Sequence, residues 1–285
     1  MAIRNFAEII FRGISQIFLL NNVITGILFL AGAFYNSWLI GTGAVIGVLT
    51  GTFTALLFKY KRDDINHGLY GYNGALVGLA TVYFFGFNIP SVIALFFGAI
   101  LSSIIMHFMI KRKLPPFTAP FIISTWIVMA IILTCKIIPL QSAQLPNAGN
   151  LEIIPALSRG IGQVMFQENI FAGIILFIGI LVCSRISALY ALLGTGIGVI
   201  VAFMCSFPLS MTNVGLFGFN GVLCGIAFSN KKWSSLILAT ASIVISIFLI
   251  YGMTNLGIIT LTSPFVLSTW LVLLLEKRFR DKSKG

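Results

Sequence analysis

The chain is 285 residues long, 58% hydrophobic and only 9% charged, with a mean hydropathy of +1.04 and a net charge of +11. A water-soluble domain of this size has no core large enough to hide that much apolar surface, so lipid must cover the remainder. The positive balance does not point to nucleic acid, because the basic residues sit in short clusters between apolar blocks, as a positive-inside membrane protein places them.

In chain order, Arg4, Glu8 and Arg12 precede the first long apolar run, and no small-x-small cleavage pattern follows them. They read as the start of the protein and not as a signal peptide. Apolar stretches near the roughly 20 residues that a bilayer requires then recur to the end, which excludes a single-span or anchored protein. The expected spans are 16 to 36, 38 to 58, 75 to 90, 91 to 110 and 119 to 138, then 163 to 182, 186 to 206, 220 to 230, 234 to 252 and 260 to 275. The fold class is all-α and polytopic.

The two series of spans carry the same text. Arg12-Gly13-Ile14-Ser15-Gln16, leading to Asn22 and Gly26, returns 147 positions later (12 to 159) as Arg159-Gly160-Ile161-Gly162-Gln163, leading to Asn169 and Gly173. Gly68-Leu69-Tyr70-Gly71-Tyr72-Asn73-Gly74 returns at that offset as Gly215-Leu216-Phe217-Gly218-Phe219-Asn220-Gly221, and Thr118-Ala119-Pro120-Phe121 with Ser124-Thr125-Trp126 returns 144 later (118 to 262) as Thr262-Ser263-Pro264-Phe265 with Ser268-Thr269-Trp270. Three blocks in one order imply a tandem duplication, with a first repeat over 1–145 and a second over 146–285. With the N-terminus inside, all but Lys136 and Arg159 of the 18 basic residues fall in cytoplasmic loops, which implies ten spans with both termini cytoplasmic. Five spans per repeat then make the repeats inverted. The Gly-aromatic-Asn-Gly blocks suit a re-entrant half-helix in each, with the asparagine satisfying exposed backbone.

The polar residues of the spans suit a neutral solute. Gln16 and Gln163 offer amide donors and an acceptor, and Thr125 and Thr269 a hydroxyl each, unless the glutamines cap helix ends and the threonines bond back into their own helices. Tyr72, Phe166 and Phe219 lie beside these positions. Ionisable residues within the spans reduce to Glu168, Lys136 and His107, too few for a proton- or ion-coupled carrier. Glu168 has Asn21 as its repeat partner and suits a structural hydrogen bond; His107 suits a satisfied helix residue. Cys135, Cys183, Cys205 and Cys224 lack metal or disulfide spacing and read as small buried groups. No hydrolase, nucleotide-binding or metalloprotease motif occurs. The residues imply passive conduction with no enzyme activity, metal or cofactor.

The duplicated Arg-Gly-Ile-x-Gln stretch, the LYGYNGALVG and LFGFNGVLCG blocks and the two Pro-Phe-x-x-Ser-Thr-Trp blocks together resemble the urea transporter family of facilitative channels. The resemblance implies two inverted halves of five spans with a re-entrant half-helix each, and a homotrimer in a cell membrane, here a bacterial inner membrane, with a separate pore in each subunit. It further implies a narrow slot in which Gln16 and Gln163 hold urea amides. Tyr72 with Leu76 and Phe219 with Leu223 would form its walls, Thr125 and Thr269 its middle, and Leu19 and Phe166 its outer walls. Tyr72 stands where the family's usual wall is phenylalanine. A channel for ammonia, water or short amides is the alternative within transport, and a non-transporting membrane scaffold or enzyme the alternative outside it. The expected partners are urea, lipid and two further copies of the chain, with no nucleic acid.

Overall fold

The computed structural model describes residues 3–141, 145 and 149–282, with side chains over 6–279 of these. The boundary expected between residues 145 and 146 falls at its edge, and the side chains of Arg4, Arg280, Lys282 and Lys284, counted above among the cytoplasmic charges, lie outside the described residues. All regular structure among the described residues is helical: α1 (Ile3–Ser15), α2 (Val23–Asn36), α3 (Trp38–Leu57), α4 (Arg62–Asn66), α5 (Gly71–Phe85), α6 (Ile89–Lys111), α7 (Ala119–Thr134), α8 (Ile153–Gly162), α9 (Ile170–Cys183), α10 (Arg185–Met204), α11 (Leu209–Asn213), α12 (Phe219–Ala227), α13 (Trp233–Asn255) and α14 (Ser263–Lys282). Four of these, α3, α6, α10 and α13, are long and apolar enough to cross a membrane, and up to six spans result if two broken helix pairs each count as one.

The chain divides into two compact units, one of residues 1–144 with 165–183 and one of residues 145–164 with 184–285. In the first, α5 is sandwiched by α3 and α6, with α7 closing over α6 and α9 lying on α2. In the second, α12 packs on α10, α13, α14 and α8.

Local chemistry sets the helix ends. Asn22 accepts from Thr25 N at 3.0 Å to start α2, Ser37 accepts from Ile40 N to start α3, and Ser184 accepts from Ser187 N at 3.1 Å to start α10. Asn88 and Ser91 form a reciprocal capping box at α6. Left-handed backbone recurs at matching places: Leu19 and Phe166, Lys59 and Ser206, Gly68 and Gly215, Lys113 and Gly257, Phe117 and Leu261. At Gly68 and Gly215 a Cβ would sit 2.3 Å from the backbone nitrogen of Gly13 and of Gly160, so only glycine fits the turn.

The sharpest interruption is not where the sequence reading put it. Gly71 to Asn73 form the first turn of an unbroken α5, whereas the expected span 16 to 36 is split: the helical stretch ending at Phe18 and α2 are bent 74° apart. A 3-10 turn over Gln16–Phe18 and left-handed Leu19 make the break, and Ser15 Oγ bridges it by donating to Leu20 O and accepting from Asn22 N. Two cysteines also differ from expectation. Cys135 and Cys205 are exposed, each just past the last residue of its helix, while Cys224 is buried.

Within the first unit α2 and α9 carry equivalent residues and meet reciprocally. Gly32 faces Leu176 and Ala172, and Gly179 faces Phe29 and accepts from Thr25 Oγ1 at 2.8 Å. Adding 147 turns Phe29 into Leu176, Thr25 into Ala172 and Gly32 into Gly179, so each contact is mirrored by its counterpart. Contacts that swap in this way occur only when the two helices run antiparallel about a local two-fold axis.

Candidate functional site

In the first unit α1 delivers Gln16 to the break. Its amide Nε2 donates to the carbonyl of His67 at 3.1 Å, and Arg12 Nη1 donates to Asn21 Oδ1 at 2.7 Å. Leu19, half-buried, follows in the left-handed turn. In the second unit α8 delivers Gln163 in the same way, and its Nε2 donates to Val214 O at 3.1 Å. His67 and Val214 occupy equivalent positions. The glutamines therefore do tie backbone, but each uses one amide proton for it, and neither amide oxygen has a protein partner among the described residues.

The walls come from α5 and α12. Tyr72 and Leu76 are buried on α5, Phe219 and Leu223 on α12. Glycine contacts draw these helices against their neighbours: a Cβ on Gly47 would lie 2.1 Å from Gly74 O, and one on Gly194 2.2 Å from Gly221 O. Asn73 and Asn220 do satisfy backbone, as expected, but at a distant helix start. Asn73 Oδ1 accepts from Phe121 N at 3.1 Å and Asn220 Oδ1 from Phe265 N at 2.9 Å, which anchors α7 to α5 and α14 to α12.

Tyr72 is explained by the same anchor. Its hydroxyl donates to the carbonyl of Phe117. In the second unit the equivalent carbonyl, of Leu261, receives Asn220 Nδ2 at 3.4 Å, whereas Asn73 Nδ2 points to Met106 Sδ at 3.8 Å. The tyrosine hydroxyl thus replaces an amide donor that the other unit takes from its asparagine.

The threonines lie in α7 and α14, each 1% exposed. Neither bonds back into its own helix. Thr125 Oγ1 has no hydrogen-bond partner, while Thr269 Oγ1 lies 3.3 Å from Ser242 Oγ and 4.0 Å from Cys224 Sγ. Phe166 packs in the first unit against Tyr83 and Phe84, with ring centroids 5.2 Å and 5.8 Å away. Beside it Glu168 Oε1 accepts from the Tyr83 hydroxyl at 2.6 Å, the structural bond expected of this acid.

Gln16, Leu19, Tyr72, Leu76, Thr125 and Phe166 thus belong to the first unit, and Gln163, Phe219, Leu223 and Thr269 to the second. The sequence reading missed Ser242, because α6 and α13 share no motif. Their register comes from stacked rings: Tyr60 on His107 at 3.8 Å and 6°, and Phe207 on Tyr251 at 3.9 Å and 6°, matching pairs that align Gly98 with Ser242. His107 is satisfied in this stack and lies 3.3 Å from the Tyr70 hydroxyl. Burial, then the charge of Asp64, pushes the Tyr70 phenol up to about 12, so it stays neutral at physiological pH. No cluster able to hold a metal ion occurs among the described residues.

Comparison with known proteins points to one family. The family model described as "Urea transporter" matches residues 7–277. The chain is similar to urea transporter 1 of Ovis aries, 31% identical over 299 residues covering 96% of this chain and 78% of the relative. It is similar also to urea transporter 1 of Rattus norvegicus, 32% identical over 298 residues covering 95% and 77%. A match that spans nearly every helix described above, including both copies of each repeated block, places this chain in the urea transporter family.

Proposed function

We propose that the protein conducts urea passively across a membrane, with no cofactor and no coupled ion. The observation that carries this reading is the pair of equivalent glutamines whose amide oxygens are left without protein partners, in a chain of this family. Urea is planar and neutral and presents N–H groups at its edge. Carbonyl oxygens can accept those protons, and the side chains of Tyr72 with Leu76 and of Phe219 with Leu223 offer flat or apolar faces to its plane. An ion passing the same groups would lose hydration without full compensation. In this reading the solute meets Gln16, Leu19, Tyr72, Leu76, Thr125 and Phe166 of the first unit and Gln163, Phe219, Leu223 and Thr269 of the second.

The finer architecture belongs to the same proposal: ten spans, repeats over 1–145 and 146–285 inserted in opposite senses, both termini cytoplasmic, and a homotrimer in a bacterial inner membrane. The antiparallel pairing of α2 with its counterpart α9 supports the opposite insertion. Labelling from each side places Lys61 and Lys232 in one compartment; opposite compartments would sink this topology.

Stopped-flow light scattering on proteoliposomes tests the activity. Urea flux persists when ion and proton gradients are collapsed, and is lost on Gln163→Ala or on Thr269→Trp. Flux that vanished with the gradient would make the protein a coupled carrier.

A further inference from the structure

The two threonines of the repeated Ser-Thr-Trp blocks are equivalent in sequence but differ in what surrounds them. In the second unit Ser242, fully buried on α13, lies 3.3 Å from Thr269 Oγ1 and 3.2 Å from Ser268 Oγ, and Cys224 Sγ lies 3.3 Å from Ser268 Oγ. Ser242 thus links polar groups of α12 and α14 around Thr269, while Ser268 Oγ also donates to Phe265 O at 3.1 Å.

In the first unit Gly98 stands where Ser242 does, Val77 where Cys224 does, and Ser124 where Ser268 does. Ser124 Oγ turns back to Pro120 O at 2.6 Å, and Thr125 Oγ1 is left buried with no partner among the described residues. The two replacements are coupled by space. A Cβ at Gly98 would come within 2.8 Å of Val77 Cγ1 and 3.0 Å of Val128 Cγ2, so the serine fits only where the valine has become a residue with a single γ atom, as at Cys224.

A buried hydroxyl without a partner is costly and rare, and a passing donor or acceptor relieves that cost. A hydroxyl already shared with a serine has less to gain. We infer that the threonines are functionally unequal: Thr125 hydrogen-bonds the permeating urea, Thr269 does not, and Ser242 is the positioning residue that withholds it. This rests on the urea-channel reading. The sequence duplication suggests two equal hydroxyls, whereas the contacts leave only one available.

The test uses the isosteric change Thr→Val in reconstituted full-length protein, with urea flux read by stopped-flow light scattering. Thr125→Val lowers flux roughly fivefold, the rate equivalent of one hydrogen bond. Thr269→Val lowers it by less than about twofold. In a Ser242→Ala background Thr269 is released, and the same Thr269→Val change then costs roughly fivefold. Ser242→Gly, the residue native to the equivalent position, carries the identical comparison should the alanine variant fold poorly. A purely structural serine would lower flux in both backgrounds without altering the penalty of Thr269→Val. Equal losses from Thr125→Val and Thr269→Val, or an unchanged Thr269→Val penalty without Ser242, overturn the inequality while wild-type flux stands. Absence of urea flux in the unaltered protein overturns the channel reading itself.

Discussion

Helices α5 and α12 carry the same repeated block and solve the same problem with different atoms. Both must hold the carbonyl that precedes the Thr-x-Pro-Phe helix, at Phe117 or Leu261, where the chain turns left-handed. The first does so with the Tyr72 hydroxyl and the second with the Asn220 amide. The lesson is that the hydrogen bond is retained and the donor is free to change, because an unpaired carbonyl at that depth costs about 1–3 kcal/mol whichever residue is missing. An aromatic residue that looks like a change of pore wall is then first a change of anchor.

The comparison breaks most severely where the two regions agree. Gly47→Ala and Gly194→Ala each push a methyl into a backbone oxygen that cannot move aside, at 2.1 Å and 2.2 Å. Each costs about 3 kcal/mol or more, and size-exclusion chromatography recovers little folded protein from either. The next effect separates the regions. Asn220→Ala removes two backbone bonds and lowers stability by about 3 kcal/mol, against about 2 kcal/mol for Asn73→Ala, which leaves the Tyr72 bond in place; thermal unfolding in detergent reads the difference. Smaller again, Tyr72→Phe costs about 1 kcal/mol in the same assay, while urea flux stays within about twofold because the lost hydroxyl faced the backbone. A large change in selectivity between urea and short amides with unchanged stability would return that hydroxyl to the solute path. Least of all, Glu168→Gln keeps an oxygen to accept the Tyr83 hydroxyl and shifts unfolding by less than about 1 kcal/mol.

Much of this was readable in the residues. The membrane class, the helical fold, the repeated blocks and the family followed from composition and self-similarity, since a duplicated motif announces itself without coordinates. The break at Leu19 and Phe166 did not, because a left-handed turn taken by leucine or phenylalanine lacks the glycine or proline that marks most breaks. Nor did the Ser242 cluster. The offset between repeats falls from 147 to 144 after α12, which ends five residues before the position equivalent to the end of α5 (85 to 232, against 227), and within α6 and α13 the matched ring stacks restore the register. The hydroxyl of Tyr72 was visible as an oddity, but its partner lies 45 residues away.

The pairing of α2 with α9 has a consequence for how such a chain could have begun. The groove formed by Thr25, Phe29 and Gly32 is filled by a helix from the far side of the duplication, so a fragment of residues 1–145 would leave it bare. In the inverted topology proposed above, a half-length precursor would cover that surface by lending the helix to a second copy of opposite insertion. Joining two such halves in one chain would make permanent a trade that separate subunits must renew at every encounter.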